Sequence, residues 1–413
     1  MTKDNSNTRT PIIRFPGFTG EWREKKMNEV FSRVTRKNAE NNQNVLTISA
    51  QYGLISQLEF FKKSVASSDV TGYYLLHKGE FAYNKSSSQG RPVGAIKPLR
   101  LYDKGVVSTL YICFKCNNPE EIDFWEQYFD AGILDSEILS IAQEGARNHG
   151  LLNISTGDFF GLNVILPTPP EMKKIAECLS SFDDVIMAAE NELDSLKAHK
   201  KGLMQQLFPQ PGATTPALRF PGYSGEWEEK TFGELYKKNN IKNDLSFGID
   251  KIISVANMYF KADANIGDKE YLKSYNVFRL GDIAYEGNKS ANYAYGRFVE
   301  NTIGDGIVSH VFDVYSPISK DHCFGYWKYA INYERIMRPV LEKSTIKSTM
   351  MTNLIAKDFL KQKTLVPTPA EQQKIAECLE AEDRMISVQE QKVESLKTHK
   401  KGLMQQLFPQ PEK

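Results

Sequence analysis

His199-Lys200-Lys201-Gly202-Leu203-Met204-Gln205-Gln206-Leu207-Phe208-Pro209-Gln210-Pro211 returns without a change at 399–411. The likeness extends upstream. Residues 167–211 align with 367–411 at a fixed offset of 200, with 29 identities in 45 positions. A second block, Arg14-Phe15-Pro16-Gly17-Phe18-Thr19-Gly20-Glu21-Trp22, returns at an offset of 205 as Arg219-Phe220-Pro221-Gly222-Tyr223-Ser224-Gly225-Glu226-Trp227. Between these blocks only anchors match. Gly79, Ala82 and Tyr83 align with Gly281, Ala284 and Tyr285, Gly105 with Gly306, Trp125 with Trp327, and Asp158-Phe159 with Asp358-Phe359. The chain is one unit written twice: two domains of one fold with divergent surfaces, each followed by a near-identical connector. A solenoid would need three or more short repeats.

The boundaries follow from the repeat. Residues 1–13 are an N-terminal extension, 14–164 a first domain, 165–208 a first spacer helix and 209–218 a linker. Residues 219–364 form the second domain, and 365–413 the second spacer helix and tail. The linker is Pro- and Gly-rich and cannot continue a helix. Each domain reads as mixed α and β. Strand character runs over 107–114 and 307–315, and helical character over 123–141 and 322–341. The expected fold class is α+β: two pseudo-twofold-related α/β domains separated by two long helices that form an intramolecular antiparallel coiled coil.

The connectors carry the clearest periodicity. Thr168-Pro169-Pro170-Glu171 and Thr368-Pro369-Ala370-Glu371 read as helix starts, with Thr as N-cap and Glu as the reciprocal partner of a capping box. Ile175, Leu179, Phe182, Ile186, Ala189, Leu193, Leu196, Lys200, Leu203 and Leu207 follow a 4-3 spacing, a heptad seam. The second copy reads Ile375, Leu379, Glu382, Ile386, Gln389, Val393, Leu396, Lys400, Leu403 and Leu407. Antiparallel pairing of residue i with 582 minus i sets every a position against a d position. It places Lys200 opposite Glu382 as a register pair and Lys400 opposite Phe182, where the lysine stem must snorkel.

Composition removes several function classes. The 413 residues carry 52 Lys and Arg against 51 Asp and Glu, a net charge of +1, so this is no bulk polycation binding nucleic acid by charge alone. No apolar run is long enough to span a bilayer, and no apolar signal core opens the chain, so neither membrane attachment nor secretion is expected. Five cysteines favour reduced thiols and a cytoplasmic setting. There is no Gly-x-x-x-x-Gly-Lys-Ser/Thr loop for ATP, no Gly-rich dinucleotide turn and no Asn-Pro-Pro-aromatic tetrapeptide of amino-methyltransferases. Cys113-x-x-Cys116 lacks a second pair and reads as a buried strand rather than a metal or redox site. Metal ligands and catalytic residues are therefore expected to be absent, and no case for an enzyme emerges.

The assembled motifs resemble one family, the specificity (S) subunit of type I restriction–modification systems. The block from Arg14 to Trp22, repeated from Arg219 to Trp227, is similar to that family's domain start. Pro367-x-Pro369-x-Glu371-Gln372-x-Lys374-Ile375-Ala376 is similar to its helix start, and Lys400-Lys401-Gly402-Leu403-Met404-Gln405-Gln406-Leu407-Phe408 to its helix end. The first copy departs at Met172, where the pattern has Gln. The resemblance covers essentially the whole chain. It implies that each domain is a target recognition domain reading one half of a bipartite, asymmetric site on double-stranded DNA. It further implies that the helices set half-site spacing and dock two methyltransferase (M) subunits, through which two restriction (R) subunits join. S-adenosylmethionine, ATP and Mg would belong to those partners, with no cofactor on this chain. The setting would be the bacterial cytoplasm, nucleoid-associated through DNA.

Candidate DNA contacts lie in polar loops suited to phosphate and base-edge hydrogen bonds. In the first domain they are Lys85, Ser86, Ser87, Gln89 and Arg91, with Arg147 and Asn148. In the second they are Lys289, Asn292, Tyr293 and Arg297, with Lys343, Lys347 and Ser348. Only the second domain is basic: residues 237–363 hold 19 basic and 14 acidic residues, against 13 and 14 in 32–163. Local patches and partner subunits must therefore supply much of the phosphate attraction. Two other readings compete. A coiled-coil scaffold has no reason to vary only its heads, and a self-contained methyltransferase or nuclease lacks its cofactor and phosphate loops.

Overall fold

A computed structural model describes residues 9–49, 52–61, 69–86, 92–142, 150, 152–261, 269–319, 322–347 and 351–409, with the backbone alone for Lys347. Two compact units emerge. One comprises the residues up to Asn191 together with those from Glu390 onward, and the other is Glu192–Gln389. Each unit thus holds one α/β domain, part of one long helix and part of the other.

The two Thr-Pro segments open helices Pro169–Leu207 and Pro369–Leu407, each 39 residues long, about 58 Å at the α-helical rise. Both end before Phe-Pro, where proline removes the next donor. The helix starts differ from a capping box. Glu371 N–H does donate to Thr368 Oγ1 at 3.4 Å. The carboxylates of Glu171 and Glu371, however, turn away to Arg14 and Arg219. An arginine fork offers two charge-assisted bonds where the N-cap amide offers one weaker bond, so the glutamate serves the domain-start motif instead.

In the first unit a four-stranded antiparallel sheet runs in the order Phe31–Arg33, Ile112–Cys116, Phe81–Asn84, Ala95–Pro98. The second unit repeats it as Tyr236–Asn239, Asp313–Pro317, Ile283–Glu286, Arg297–Glu300. Each domain also closes its ends on itself, pairing Arg23–Lys26 with Asn163–Leu166 and Glu228–Thr231 with Lys363–Val366. The expected single strand over 107–114 is two strands. Lys104–Val107 pairs with Tyr74–His77, while Ile112–Cys116 joins the large sheet. The turn between them bonds Tyr111 N–H to Ser108 O, and its counterpart bonds Phe312 N–H to Ser309 O. The expected helix over 123–141 is likewise two, Ile122–Asp130 and Asp135–Ile141, broken at Gly132 with φ +72°. Its counterpart over 322–341 is Tyr326–Ala330 and Glu334–Ser344.

Both cores are aromatic and both are closed by a helix tail. In the first unit Phe408 is fully buried, 6.1 Å from Trp22 and 5.8 Å from Phe124. In the second, Phe208 sits 6.4 Å from Trp227 and 5.8 Å from Tyr326. The helix pair continues outward from each core. In the first unit Ile175 and Leu179 share a buried cluster with Met404 and Leu407, and in the second Ile375 and Leu379 share one with Leu207. None of the seam residues Ile186, Leu193, Leu196, Leu203, Ile386, Val393, Leu396 and Leu403 is exposed.

The pairing in both units is antiparallel. In the first, Phe182 packs 5.4 Å from His399, and Lys397 Nζ lies 2.6 Å from Glu190 Oε1. In the second, His199 Nδ1 lies 3.2 Å from Glu382 Oε2. The expected Lys200–Glu382 pair is displaced by one residue: Lys200 Nζ bonds Asp383 instead. Glu382 is buried in the seam, and the four-carbon lysine stem carries its ammonium past it to the flank. Lys400 does the same beside Phe182, ending 2.5 Å from Asp183 Oδ1.

Candidate nucleic-acid interface

The candidate loops sit at the tips of equivalent hairpins, Phe81–Asn84 with Ala95–Pro98 and Ile283–Glu286 with Arg297–Glu300. A tyrosine at the same sheet position ties down each loop. Tyr83 OH donates to Val93 O at 2.7 Å, and Tyr285 OH to Tyr295 O at 2.6 Å. Each loop returns through a glycine of positive φ, Gly94 at +85° and Gly296 at +74°. A β-carbon there would meet Asn84 O at 2.0 Å or Glu286 O at 2.5 Å, so the close approach requires glycine.

The loop of the second domain is described throughout. Ser290 and Tyr293 exchange backbone bonds, closing a tight turn that leaves Lys289 and Asn292 exposed. Arg297, expected to reach DNA, is committed elsewhere. Its Nε donates to Glu286 Oε2 at 2.7 Å, its Nη2 to Ala256 O at 3.0 Å, and its guanidinium lies 5.2 Å from the Tyr293 ring centroid. Cross-strand partners Glu286 and Arg297 thus neutralise one another inside the hairpin and hold Tyr293 from below.

A second segment docks on the same loop. Thr352 N–H donates to Gly287 O at 2.9 Å, Asn288 pairs with Met351, and the Thr352 hydroxyl lies 2.6 Å from Tyr285 OH. Tyr295 OH reaches Glu342 Oε1 at 2.6 Å, beside exposed Lys343 at the end of its helix. The structure therefore brings the 287–296 segment together with residues 342–343 and 351–352. In the first unit Leu152 N–H donates to Lys85 O at 3.0 Å, joining the corresponding segments. Lys85 itself turns inward, Nζ to Ile154 O at 3.4 Å, and burial lowers its ammonium pKa. Ser86 is exposed. Ser87, Gln89, Arg91, Arg147, Asn148 and Ser348 lie outside the described residues, as does the Lys347 side chain.

The tip of the second domain presents hydroxyl, amide and ammonium groups. Among the described residues no three His, Cys, Asp or Glu side chains gather to hold a metal ion. Cys113 and Cys116 are buried free thiols whose pKa values burial pushes up to about 12. The supporting residues Thr352 and Glu286 carry no signal in the sequence, and Tyr295 lies inside the candidate loop without standing out there. Tyr83 and Tyr285 did leave a signal in the sequence, as anchors between otherwise divergent stretches.

No family model matches the chain. Over 305 residues it is 21% identical to the type I restriction enzyme MjaVIII specificity subunit of Methanocaldococcus jannaschii, covering 65% of this chain and 66% of that protein, just under two thirds of the relative's length. Among solved structures, the S subunit of a type I restriction–modification system from M. genitalium matches 98% of this chain and 100% of its own, with TM-score 0.55 at 15% identity. The chain has the fold of a type I specificity subunit. The resemblance carried by the repeated blocks thus holds in sequence and in architecture. A further chain, from work on complex assembly and conformational transition of the type I R-M system, matches 96% of this chain and 99% of its own, with TM-score 0.51 and 15% identity. Within the specificity-subunit fold of this chain, the paired hairpin and docking segments are where divergent sequence meets repeated support.

Proposed function

We propose that this chain is the DNA sequence-specificity subunit of a type I restriction–modification complex, without catalysis of its own. Its recognition domains, residues 14–164 and 219–364, each read one half of a bipartite, asymmetric site on double-stranded DNA. The helix pair sets the half-site spacing and docks two methyltransferase subunits, with two restriction subunits joining through them. Exposed Val185 in the first unit and its repeat partner Met385 in the second offer those partners apolar contact at equivalent places on the long helices. S-adenosylmethionine, ATP and Mg act on the partners, which carry out adenine methylation and restriction. No helix among the described residues is long and apolar enough to cross a membrane.

One observation carries the reading: near-identical helices support heads whose hairpin loops diverge in sequence. Two copies of one partner need like docking faces, and two different half-sites need unlike tips. In the second domain Lys289, Asn292 and Tyr293 are the groups placed to meet DNA, with Arg297 acting through the loop it holds. The test is genome-wide adenine methylation in cells carrying the chain with its methyltransferase partner. A bipartite motif that depends on this chain is expected. Its absence sinks the reading.

A further inference from the structure

Each unit contains a node where three helices converge on a single carboxylate. In the first unit Asp183, on Pro169–Leu207, accepts from Gln127 Nε2 at 2.8 Å and from Lys400 Nζ at 2.5 Å. Gln127 belongs to the domain helix Ile122–Asp130, and Lys400 to the other long helix. In the second unit Asp383 accepts from Tyr329 OH at 2.6 Å and from Lys200 Nζ, with Lys328 Nζ at 3.4 Å. The nodes correspond position by position. Gln127 and Tyr329 each stand two residues beyond the matched tryptophans Trp125 and Trp327, and the aspartates and lysines are repeat partners. Burial pushes the Asp383 carboxyl up, but hydrogen bonds from Lys200 and Tyr329 outweigh it and hold its pKa below the ordinary value. The Asp383 carboxylate is therefore ionised at neutral pH.

Besides this node, each head meets the long helices through the arginine fork at the helix start, Arg14 on Glu171 or Arg219 on Glu371, and through apolar packing, which is non-directional. Charge-assisted hydrogen bonds are directional and reject small rotations. We propose that Asp183 and Asp383 are positioning residues that fix the tilt of each recognition domain on the helix pair, and so restrict the complex to one spacer length between half-sites. This rests on the DNA-specificity reading above.

The test compares genome-wide methylation by complexes of the full chain with its methyltransferase partner, carrying Asp383→Asn, Tyr329→Phe or Gln127→Leu. Tyr329→Phe keeps the ring and removes only the hydroxyl. The expected result is that both half-site sequences stay as in wild type. Sites whose spacer is one base pair shorter or longer should rise in methylated fraction by about tenfold, as loss of a hydrogen bond to a charged group implies. Retention of a single spacer length in Asp383→Asn and Tyr329→Phe, at whatever overall level, overturns the proposal. Loss of all methylation in Tyr329→Phe assigns the node to folding and overturns it too. A wild-type complex that yields no bipartite motif instead overturns the specificity reading itself.

Discussion

Arg14 and Arg219 carry the same burden in their two units. Arg14 Nε and Nη2 each lie 2.6 Å from a Glu171 oxygen, and Arg219 grips Glu371 at 2.7 and 2.8 Å. The glutamate side chains are 1% exposed, so each depends on its arginine for compensation. Removing one partner of such a pair leaves a buried, uncompensated charge. Arg14→Ala is expected to lower stability by about 3–5 kcal/mol in urea denaturation. Replacing both partners by apolar groups, as in Arg14→Met with Glu171→Leu, should cost far less. If the single and double variants melt alike, the pair is not the cause. Sequence reading found both members of this pair in its motifs but assigned the glutamate to a helix cap. The arginine sits 157 residues away, and no local pattern announces so distant a partner.

The elements differ in how openly the sequence declares them. The two long helices are legible from Thr-Pro to Phe-Pro, because a heptad seam and two prolines speak for the same boundaries. Residues 107–114 and 307–315 read as single strands because β-branched and aromatic residues run through both. Leu110 and Val311, exposed at 59% and 67%, are turn residues inside those runs. At the candidate interface the loops could be located from polarity and glycine content. Which side chains they free could not, because Lys85 and Arg297 differ from an exposed cation only in three-dimensional neighbours. Arg297→Ala should act indirectly, by releasing Tyr293 and the turn at 290–293. Preference at the second half-site should weaken by about 1–3 kcal/mol while the first half-site stays as specific as in wild type. Methylation motifs from the variant complex check this: equal relaxation of both halves would contradict a local role.

At the scale of the whole molecule, each core is completed by a helix that begins beyond the other domain. Phe408→Ala removes a fully buried ring from the first unit and should destabilise it by about 3–5 kcal/mol. Amide exchange should then accelerate within residues 9–166 and leave 228–366 close to wild type. Equal acceleration in both would mean that the units do not open separately. The sequence showed the repeat and therefore the two domains. The antiparallel register already set Leu407 against Ile175 and Leu207 against Ile375; what it could not show is that the next residues, Phe408 and Phe208, enter the aromatic cores of the heads. Closure by the helix tails also imposes an order in time. Trp22 leaves the ribosome 386 residues ahead of Phe408, tens of seconds at ordinary synthesis rates. The second unit, wholly contained in Glu192–Gln389, is complete before the last helix turn has been made. The domain born first is thus the one that must wait, its aromatic core open, for the final residues to close it.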